Sequence, residues 1–147
     1  MSYSKSIKKK IVIGYTAGVF DLFHIGHINV LKRAKSMCDK LIVGVSSDSL
    51  VYRYKKKKPI IKYKERSKIV SSVKFVDHVI KQNTLDKLKL LEKYKFDIMF
   101  VGDDWFKTSK WKKIESDFNI RGVKIIYFPY TKGTSSTKVN NILNKFR

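Results

Sequence analysis

Two histidines, His24 and His27, lie three positions apart with Gly26 between them. An apolar, β-branched run at residues 11–15 precedes them and predicts a buried strand, which enters a turn at Gly18. A helix is predicted to begin near His24, so the two imidazoles lie one above the other in its first turn. Ring N–H groups, backbone N–H groups and the helix dipole favour an anion there, and Gly26 leaves room for a bulky one. The spacing therefore predicts a phosphate site.

A pair of ordinary surface histidines and a zinc site are the alternatives for this motif. Helical metalloproteases place their histidines four positions apart with a glutamate between them, a pattern that this pair lacks. No third metal ligand lies nearby in the sequence. The order of a strand, a glycine turn and a helix favours a phosphate site over both alternatives.

Two further polar clusters follow predicted elements. Asp103 and Asp104 come directly after the apolar run at residues 98–101, and hydroxyl side chains occupy residues 135–137, where a terminal helix is predicted to begin. The hydroxyls and the free N–H groups of a helix start can form a second phosphate cradle. The carboxylates can hold Mg²⁺ or the hydroxyls of a sugar or base. Simple helix capping and a plain turn remain the alternatives for these clusters.

A basic run, Arg53-Tyr-Lys-Lys-Lys-Lys-Pro59, is either a solvated loop or a phosphate-binding segment. Lys55 and Lys57 alternate along it, so either side chain can turn toward a ligand at the end of the first strand. Both are therefore candidate phosphate ligands.

Strand and helix patterns alternate along the chain, which predicts a Rossmann-like α/β fold with a doubly wound, parallel, five-stranded sheet. We predict one domain at residues 11–147 behind a basic leader at residues 1–10. The predicted strands are 11–15, 41–45, 75–80, 98–101 and 123–128. The predicted helices are one from His24, 63–73, 84–95 capped by Thr84, 109–118 and a terminal one reaching Phe146. Ligands bind beyond the carboxyl ends of such strands, so the three polar clusters should converge.

The composition is that of a globular protein, with 43% hydrophobic residues in 147. The single cysteine, Cys38, fits a reducing compartment, and no apolar run approaches the roughly 20 residues of a membrane span. We therefore expect a cytoplasmic protein without membrane insertion. The net charge of +21 keeps a basic nucleic-acid-binding module as a distant alternative. Its lysines are spread along the whole chain, so we expect nucleotides or phosphorylated substrates as partners instead.

The sequence shows no serine–histidine–acid set and no activated cysteine. Two helix-start anion sites on one edge can hold a triphosphate, with its α-phosphate at His24 and His27. A phosphate nucleophile on a second substrate needs little activation, so catalysis would consist of positioning and of stabilising charge on the α-phosphorus as pyrophosphate leaves.

Three motifs carry a resemblance to a known family: Gly18-Val-Phe-Asp-Leu-Phe-His-Ile-Gly-His27, Gly102-Asp-Asp-Trp105 and Gly133-Thr-Ser-Ser-Thr137. They resemble the small cytidylyltransferases, and Gly102-Asp-Asp-Trp105 resembles the glycerol-3-phosphate branch, over residues 11–143. The resemblance implies transfer of CMP from CTP to a small phosphorylated alcohol, foremost glycerol 3-phosphate. The product would be CDP-glycerol for a cell-surface polymer. It also implies Mg²⁺ with the nucleotide and a homodimer.

The resemblance also assigns roles to residues. His24 and His27 would contact the α- and β-phosphates of CTP, and Asp21 would support the first loop. Lys55 or Lys57, and Lys74, would bind phosphate. The remaining assigned nucleotide-binding residues are Gly18, Val19, Phe20, Gly26, Asp104, Tyr130, Ser135, Ser136 and Thr137. No residue is assigned as a metal ligand.

Three positions depart from the glycerol branch. Tyr130 stands where the family has an arginine, Val19 replaces a threonine, and Leu85 lies where that branch has a tryptophan. Phosphocholine, phosphoethanolamine and a pentitol phosphate therefore remain alternative acceptors. The serine–serine–threonine stretch at residues 135–137 also resembles adenylyltransferases, so ATP remains an alternative nucleotide.

Overall fold

A five-stranded parallel sheet in the order β3-β2-β1-β4-β5 is the centre of the computed structural model, which describes residues 10–102, 108–129, 141–142 and 145. The strands are β1 (Ile13–Gly18), β2 (Lys40–Ser46), β3 (His78–Gln82), β4 (Ile98–Gly102) and β5 (Lys124–Phe128). The helices are α1 (Ile25–Ser36), α2 (Asp48–Lys55), α3 (Tyr63–Ser71), α4 (Lys87–Tyr94) and α5 (Ser109–Ile120). The predicted α/β fold is confirmed.

The strand order reverses at β1. The chain proceeds from β1 through β2 to β3 on one side, and then returns to place β4 and β5 on the other side. β1 pairs with both β2 and β4, with Gly18 opposite Val45 and Thr16 opposite Phe100. A switch of this kind opens a crevice at the carboxyl ends of the flanking strands, here the ends of β1 and β4.

Each face of the sheet buries its own hydrophobic core. Leu31 and Ala34 of α1 and Val70 of α3 pack on one face with side chains of β2. Trp111 and Phe118 of α5 and the leucines of α4 pack on the other face. Side chains alternate along a strand, so β1 sends Tyr15 to the α4/α5 face and neighbouring residues to the α1/α3 face. A ligand at the carboxyl edge of the sheet can therefore be reached by residues from both the α1/α3 face and the α4/α5 face.

Gly44 in β2 is required by the packing of Tyr15. A Cβ atom at Gly44 would lie 2.1 Å from the Tyr15 hydroxyl oxygen and 2.7 Å from Gln82 Oε1. The buried Tyr15 hydroxyl donates a hydrogen bond to that Gln82 oxygen, and burial raises the pKa of Tyr15 well above its usual range. A methyl group would separate this buried pair, and only glycine avoids that.

Two predicted strand boundaries are wrong. β1 extends to Gly18 instead of ending near residue 15, so its turn begins after Gly18. β3 begins at His78, not at residue 75. The residues before it form a turn in which Val76 N donates to Val73 O, and Asp77 then binds the main chain of Leu41 through both its N–H and its carboxylate. An apolar run in a turn looks like a strand because both bury the same residue types.

The structure also differs from the prediction at the basic run and at the cap of α4. Ser47 caps α2, which continues through Arg53 to Lys55, so the first half of the basic run is helical and not a loop. Asp86, not Thr84, caps α4, and Thr84 instead accepts a hydrogen bond from Asp86 N. Of the predicted terminal helix, residues 141–142 are helical, and the rest lies outside the described residues. Within the described part of the chain, no helix combines the length and apolar character needed to cross a membrane.

Candidate functional site

The loop at residues 19–24, between β1 and α1, has an unusual backbone. Phe20 and Leu22 have φ values of 55° and 50°, a left-handed region that costs a non-glycine residue roughly 1 kcal/mol or more. The Asp21 carboxylate fastens this loop to the segment before α3, because it accepts hydrogen bonds from Ile60 N at 2.7 Å and Ile61 N at 2.9 Å. The strained turn is therefore fixed by a neighbouring loop.

Arg66, from α3, ties the same loop to two others and is fully buried. Its guanidinium donates to the Val19 carbonyl at 2.6 Å, to the Ile61 carbonyl at 2.7 Å and to Asp48 Oδ1 at 2.6 Å. Asp48 also accepts from Tyr63 N, and these donors hold the pKa of its carboxyl below the usual range against the opposing effect of burial. One arginine thus joins the loop after β1, the start of α2 and the start of α3.

His24 and His27 form a reciprocal cap at the start of α1. His24 is the N-cap residue, and its Nδ1 accepts from Gly26 N at 3.0 Å. His27 Nδ1 accepts from His24 N at 3.1 Å. The ring centroids lie 4.0 Å apart with the ring planes tilted by 31°, so the predicted proximity of the two imidazoles at the start of the helix is confirmed. The expectation that these backbone N–H groups are free for an anion is wrong, because the imidazoles themselves occupy two of them.

The cap fixes the protonation of both rings. An Nδ1 that accepts a hydrogen bond carries no proton, so each neutral imidazole has its N–H at Nε2. Burial lowers the pKa of His24. Burial, and then the proximity of His24, lowers the pKa of His27 to about 4, although Asp21 acts in the opposite direction. Both side chains are therefore neutral donors at pH 7, with the Nε2–H groups left for a ligand.

Aromatic neighbours hold His27 in place. Its ring lies 5.4 Å from the Phe20 ring and 5.1 Å from the Phe23 ring. Phe20 is buried, and its backbone lies in the left-handed region. The strained loop thus contributes directly to the orientation of a candidate ligand-binding histidine.

A cavity of about 460 Å³ opens at the carboxyl ends of β1 and β4. Gly18, at the end of β1, and Lys55, at the end of α2, line it. The other residues that the argument uses are Tyr15, Leu85, Lys87, Leu90, Met99, Lys110 and Trp111. Gly18 and Lys55 are thus brought to the same edge as the histidines.

Two lysines predicted to bind phosphate, Lys57 and Lys74, do not line the cavity. Lys57 is exposed in the turn after α2 and does not line the cavity. Lys74 requires a correction, because it lies three residues before Asp77, which binds the start of β2. That position is at the amino edge of the sheet, opposite the histidines, and the exposed Lys74 ammonium lies 5.2 Å from the Phe75 ring centroid.

The remaining predicted residues divide into two groups. Val19, Phe20, Asp21 and Gly26 all lie in or beside the loop after β1, with Gly26 buried in the first turn of α1. The second group lies outside the described residues and consists of Asp103, Asp104, Tyr130, Ser135, Ser136 and Thr137. Among residues that the structure does describe, no three His, Cys, Asp or Glu side chains group to hold a metal ion.

Sequence reasoning missed Arg66, Asp48 and the lysines Lys87 and Lys110. Arg66 has a usable signal, since it lies four positions before Val70 and seven before Val73, on the apolar face of α3. An arginine on a buried stripe needs carboxylate or carbonyl partners, which predicts a structural role. Lys87 and Lys110 have no such signal, because their proximity depends on the packing of α4 on α5.

The chain is similar to known proteins in family, in sequence and in structure. The cytidylyltransferase-like family model matches residues 15–142. A glycerol-3-phosphate cytidylyltransferase of Bacillus spizizenii is 37% identical over 132 residues, which cover 89% of this chain and 94% of that protein. An FAD synthase of Thermococcus sibiricus is 34% identical over 140 residues, which cover 94% of both chains.

A solved structure shows the same fold. The lipopolysaccharide core biosynthesis protein from Thermoplasma volcanium superposes with a TM-score of 0.69 and 31% identity, covering 85% of this chain and 100% of that one. The family match includes the histidine cap, the cavity and the whole sheet except the first residues of β1. The resemblance seen in the sequence is confirmed, and the protein belongs to the cytidylyltransferase-like family.

Proposed function

We propose that this protein is a nucleotidyltransferase that transfers CMP from CTP to a small phosphorylated alcohol and releases pyrophosphate. Glycerol 3-phosphate is the first candidate acceptor, which would make the product CDP-glycerol. The observation that carries the proposal is the histidine cap, which occupies both Nδ1 atoms and leaves each neutral imidazole with an Nε2–H donor at the start of α1. Similarity to the Bacillus spizizenii glycerol-3-phosphate cytidylyltransferase over most of both chains supports the choice of substrates.

The chain's residues have defined tasks in this reaction. His24 and His27 donate Nε2–H to the α- and β-phosphates, beside the positive end of the α1 dipole. An oxygen of the acceptor phosphate attacks the α-phosphorus, and the bond from that phosphorus to the pyrophosphate oxygen breaks. The attacking phosphate is already anionic, so no general base is needed. Each well-aimed donor to the developing charge contributes roughly 10²–10³ in rate, by analogy with oxyanion holes.

Mg²⁺ is proposed to arrive with the nucleotide and to neutralise part of the triphosphate charge. We propose that phosphate oxygens of the nucleotide supply most of its ligands. Of the nearby carboxylates, Asp21 is already bound to two backbone N–H groups. Asp103 and Asp104, which the sequence places after β4, are the proposed protein contacts to the metal or to the nucleotide.

An adenylyltransferase is the second candidate. The Thermococcus sibiricus FAD synthase is similar over 94% of this chain, and its name implies another nucleotide and another acceptor. Phosphocholine, phosphoethanolamine and a pentitol phosphate remain candidate acceptors with CTP. A nucleic-acid-binding module is the distant alternative, and it gives no reason for the histidine cap.

Two further parts of the proposal concern assembly and location. We propose a cytoplasmic homodimer, on the resemblance to the family and on the single cysteine. Light scattering of the purified protein tests the dimer, and a monomeric mass at micromolar concentration would reject it.

The test of the reaction is pyrophosphate release by the purified protein, with CTP and ATP each crossed against the candidate acceptors in the presence of Mg²⁺. We expect release with CTP and glycerol 3-phosphate. Release with ATP alone would establish the adenylyltransferase instead. Tight, strongly salt-dependent binding to nucleic acid without any release would favour the third alternative.

A further inference from the structure

Lys87, in the first turn of α4, is a half-buried lysine on the wall of the cavity at the carboxyl edge. Its ammonium lies 5.7 Å from the centroid of the Trp111 ring. Apolar side chains, Leu85 and Leu90 among them, line the same cavity. The reaction proposed above gives Lys87 no task. An amine on an apolar wall that small molecules can reach is able to act as a nucleophile once it loses its proton.

The charged groups that face Lys87 are mostly cations. Lys110, in the first turn of α5, and Lys55, at the end of α2, line the same cavity, and no Asp or Glu of the described residues does. Asp86, which caps α4, is the carboxylate that opposes their effect. No ion pair within the described ranges includes Lys87. The positive end of the α4 dipole also disfavours a charged amine at this position.

These surroundings favour the uncharged form of Lys87. Burial, and then Lys110, lowers the pKa of Lys87 to about 8, while Asp86 raises it. About half of the Lys87 side chains are therefore uncharged at pH 8, whereas roughly 0.4% of a lysine with the ordinary pKa near 10.4 is uncharged there. Desolvation and a neighbouring cation are the two conditions that activate a lysine as a nucleophile, and Lys87 meets both.

We propose that Lys87 is a covalent modification site that takes the acyl group of small acyl phosphates. Acyl phosphates suit this cavity because they combine an electrophilic carbonyl carbon with an anionic phosphate. The cations Lys55 and Lys110 attract the phosphate toward the amine. The acyl group that stays behind is uncharged, so it suits the apolar wall at Trp111.

The transfer step balances without a further reactant. The uncharged Lys87 Nζ attacks the carbonyl carbon, and a C–N bond forms while the bond from that carbon to the phosphate oxygen breaks. Nζ gives up one proton, which the released phosphate takes up as HPO₄²⁻. The product is an amide without charge, so acylation removes one of the cations that line the cavity.

Acetyl phosphate is the probe for this site, and peptide mass spectrometry measures acetylation at each lysine over time. Lys89 of α4 and Lys113 of α5 are the controls, because both are exposed and neither lines the cavity. At pH 8 we expect Lys87 to react at least about tenfold faster than either control. The gain is smaller than the ratio of uncharged fractions because a less basic amine is also a weaker nucleophile. Equal rates at the three lysines would overturn the proposal.

The pH profile distinguishes an activated amine from a merely accessible one. The acetylation rate at Lys87 should rise with pH up to about 8 and then level off, because nearly all of its side chains are then uncharged. An ordinary exposed lysine keeps reacting faster as pH rises toward about 10. A Lys87 rate that still climbs steeply above about pH 9 would contradict the assignment.

Lys110→Met tests the contribution of the neighbouring cation. Without the Lys110 charge, acetylation of Lys87 at pH 7.5 should slow and its plateau should move to higher pH, since one of the causes that favour the uncharged amine is gone. Lys113→Met removes a charge from the same helix outside the cavity, and should leave the Lys87 rate within about twofold of the parent. Equal Lys87 rates in the two variants would contradict activation by Lys110.

The consequence for activity rests on the proposed nucleotidyl transfer. The cavity reaches the end of β1 through Gly18, so pyrophosphate release should fall as Lys87 becomes acetylated. Lys87→Arg keeps a positive charge that is not nucleophilic, so treatment with acetyl phosphate, followed by its removal, should not reduce whatever release this variant shows. Undiminished release by parent protein that is fully acetylated at Lys87 would reject the effect on activity. Selective acetylation of a protein that shows no release before treatment would support the modification site and reject nucleotidyl transfer.

Discussion

At the scale of single residues, His24 and His27 are donors because the main chain occupies their other nitrogen atoms. Gly26 N and His24 N donate to the two Nδ1 atoms at 3.0 and 3.1 Å, which leaves the proton of each ring at Nε2. A neutral donor can bind a phosphate without first losing or gaining a proton. The same contacts cap α1, so the residues proposed to hold the nucleotide also stabilise the helix that positions them.

Substituting His24 separates these two roles. His24→Asn keeps a side-chain acceptor for Gly26 N but removes the Nε2 donor, so turnover should fall roughly 10²–10³-fold. His24→Ala removes both, and should lose similar activity and about 1 kcal/mol of stability in addition. Steady-state kinetics and urea unfolding of both variants measure the two effects. Turnover of His24→Asn within threefold of the parent would contradict the assigned role.

His27 should make stability depend on pH. The unfolded chain binds a proton at this residue below about pH 6.5, whereas the native ring resists protonation until about pH 4. Stability should therefore fall as pH drops from 6.5 toward 4, by about 1–2 kcal/mol at pH 5 for this partly exposed ring. His27→Gln retains an acceptor for His24 N without titrating.

Urea unfolding at pH 7.5 and pH 5 provides the comparison. The parent should lose more stability between the two values than His27→Gln loses. Equal losses in the two proteins would show that His27 does not have a lowered pKa in the native state.

The histidine pair could be predicted from the sequence because strand, glycine and helix signals are all local. The Nδ1 contacts could not, since they depend on the rotamers of the two rings. Lys74 shows a different limit of prediction from the sequence. A position carried over from a resemblance says nothing about which edge of the sheet a residue reaches, and in this chain the turn before β3 places it at the amino edge.

At the scale of elements, Arg66 connects the segments that shape the site. Its three partners are the carbonyl of Val19 in the loop after β1, the carbonyl of Ile61 before α3, and the carboxylate of Asp48 at the start of α2. The Asp48 side chain is 41% exposed, so the ion pair by itself contributes modestly. The two partly buried carbonyls raise the cost of losing the guanidinium, because each would be left without its donor.

Arg66→Met should therefore destabilise the protein by about 3 kcal/mol, as the sum of unsatisfied acceptors in a buried position. Lys68→Met, on the exposed side of the same helix, should change stability by less than about 0.5 kcal/mol. Urea unfolding of both variants measures the difference. A change below about 1 kcal/mol in the free energy of unfolding of Arg66→Met would show that the three connected segments do not depend on this residue.

Sequence analysis predicted most accurately the elements whose boundaries depend only on their own residues. β2, α5 and β5 agree with their predicted ranges to within two residues. The start of β3 differs from its prediction because Val76 packs against the core from a turn, in which Asp77 binds the start of β2. The cap of α4 was assigned to Thr84 although Asp86 lies two residues on, and either residue type can cap a helix.

At the scale of the whole molecule, the sheet brings the histidine cap and a lysine-lined cavity to one edge. Helix α1 presents neutral donors on one face, and α2, α4 and α5 present lysines on the other. The net charge of +21 adds a general field that attracts both substrates and weakens with salt. The convergence of strand ends could be predicted from the order of elements, but the pairing of Lys87 with Lys110 required the packed structure.

The central claim is that an oxygen of the acceptor phosphate attacks the α-phosphorus of the nucleotide. The most direct test is to label the acceptor phosphate with ¹⁸O, using the nucleotide and acceptor most active in the pyrophosphate assay, and to analyse both products by mass spectrometry. We predict that the product joined to the alcohol retains all of the label, including the oxygen between the two phosphorus atoms. Pyrophosphate should carry none. Labelled pyrophosphate, or a nucleoside diphosphate with inorganic phosphate in its place, would contradict the account.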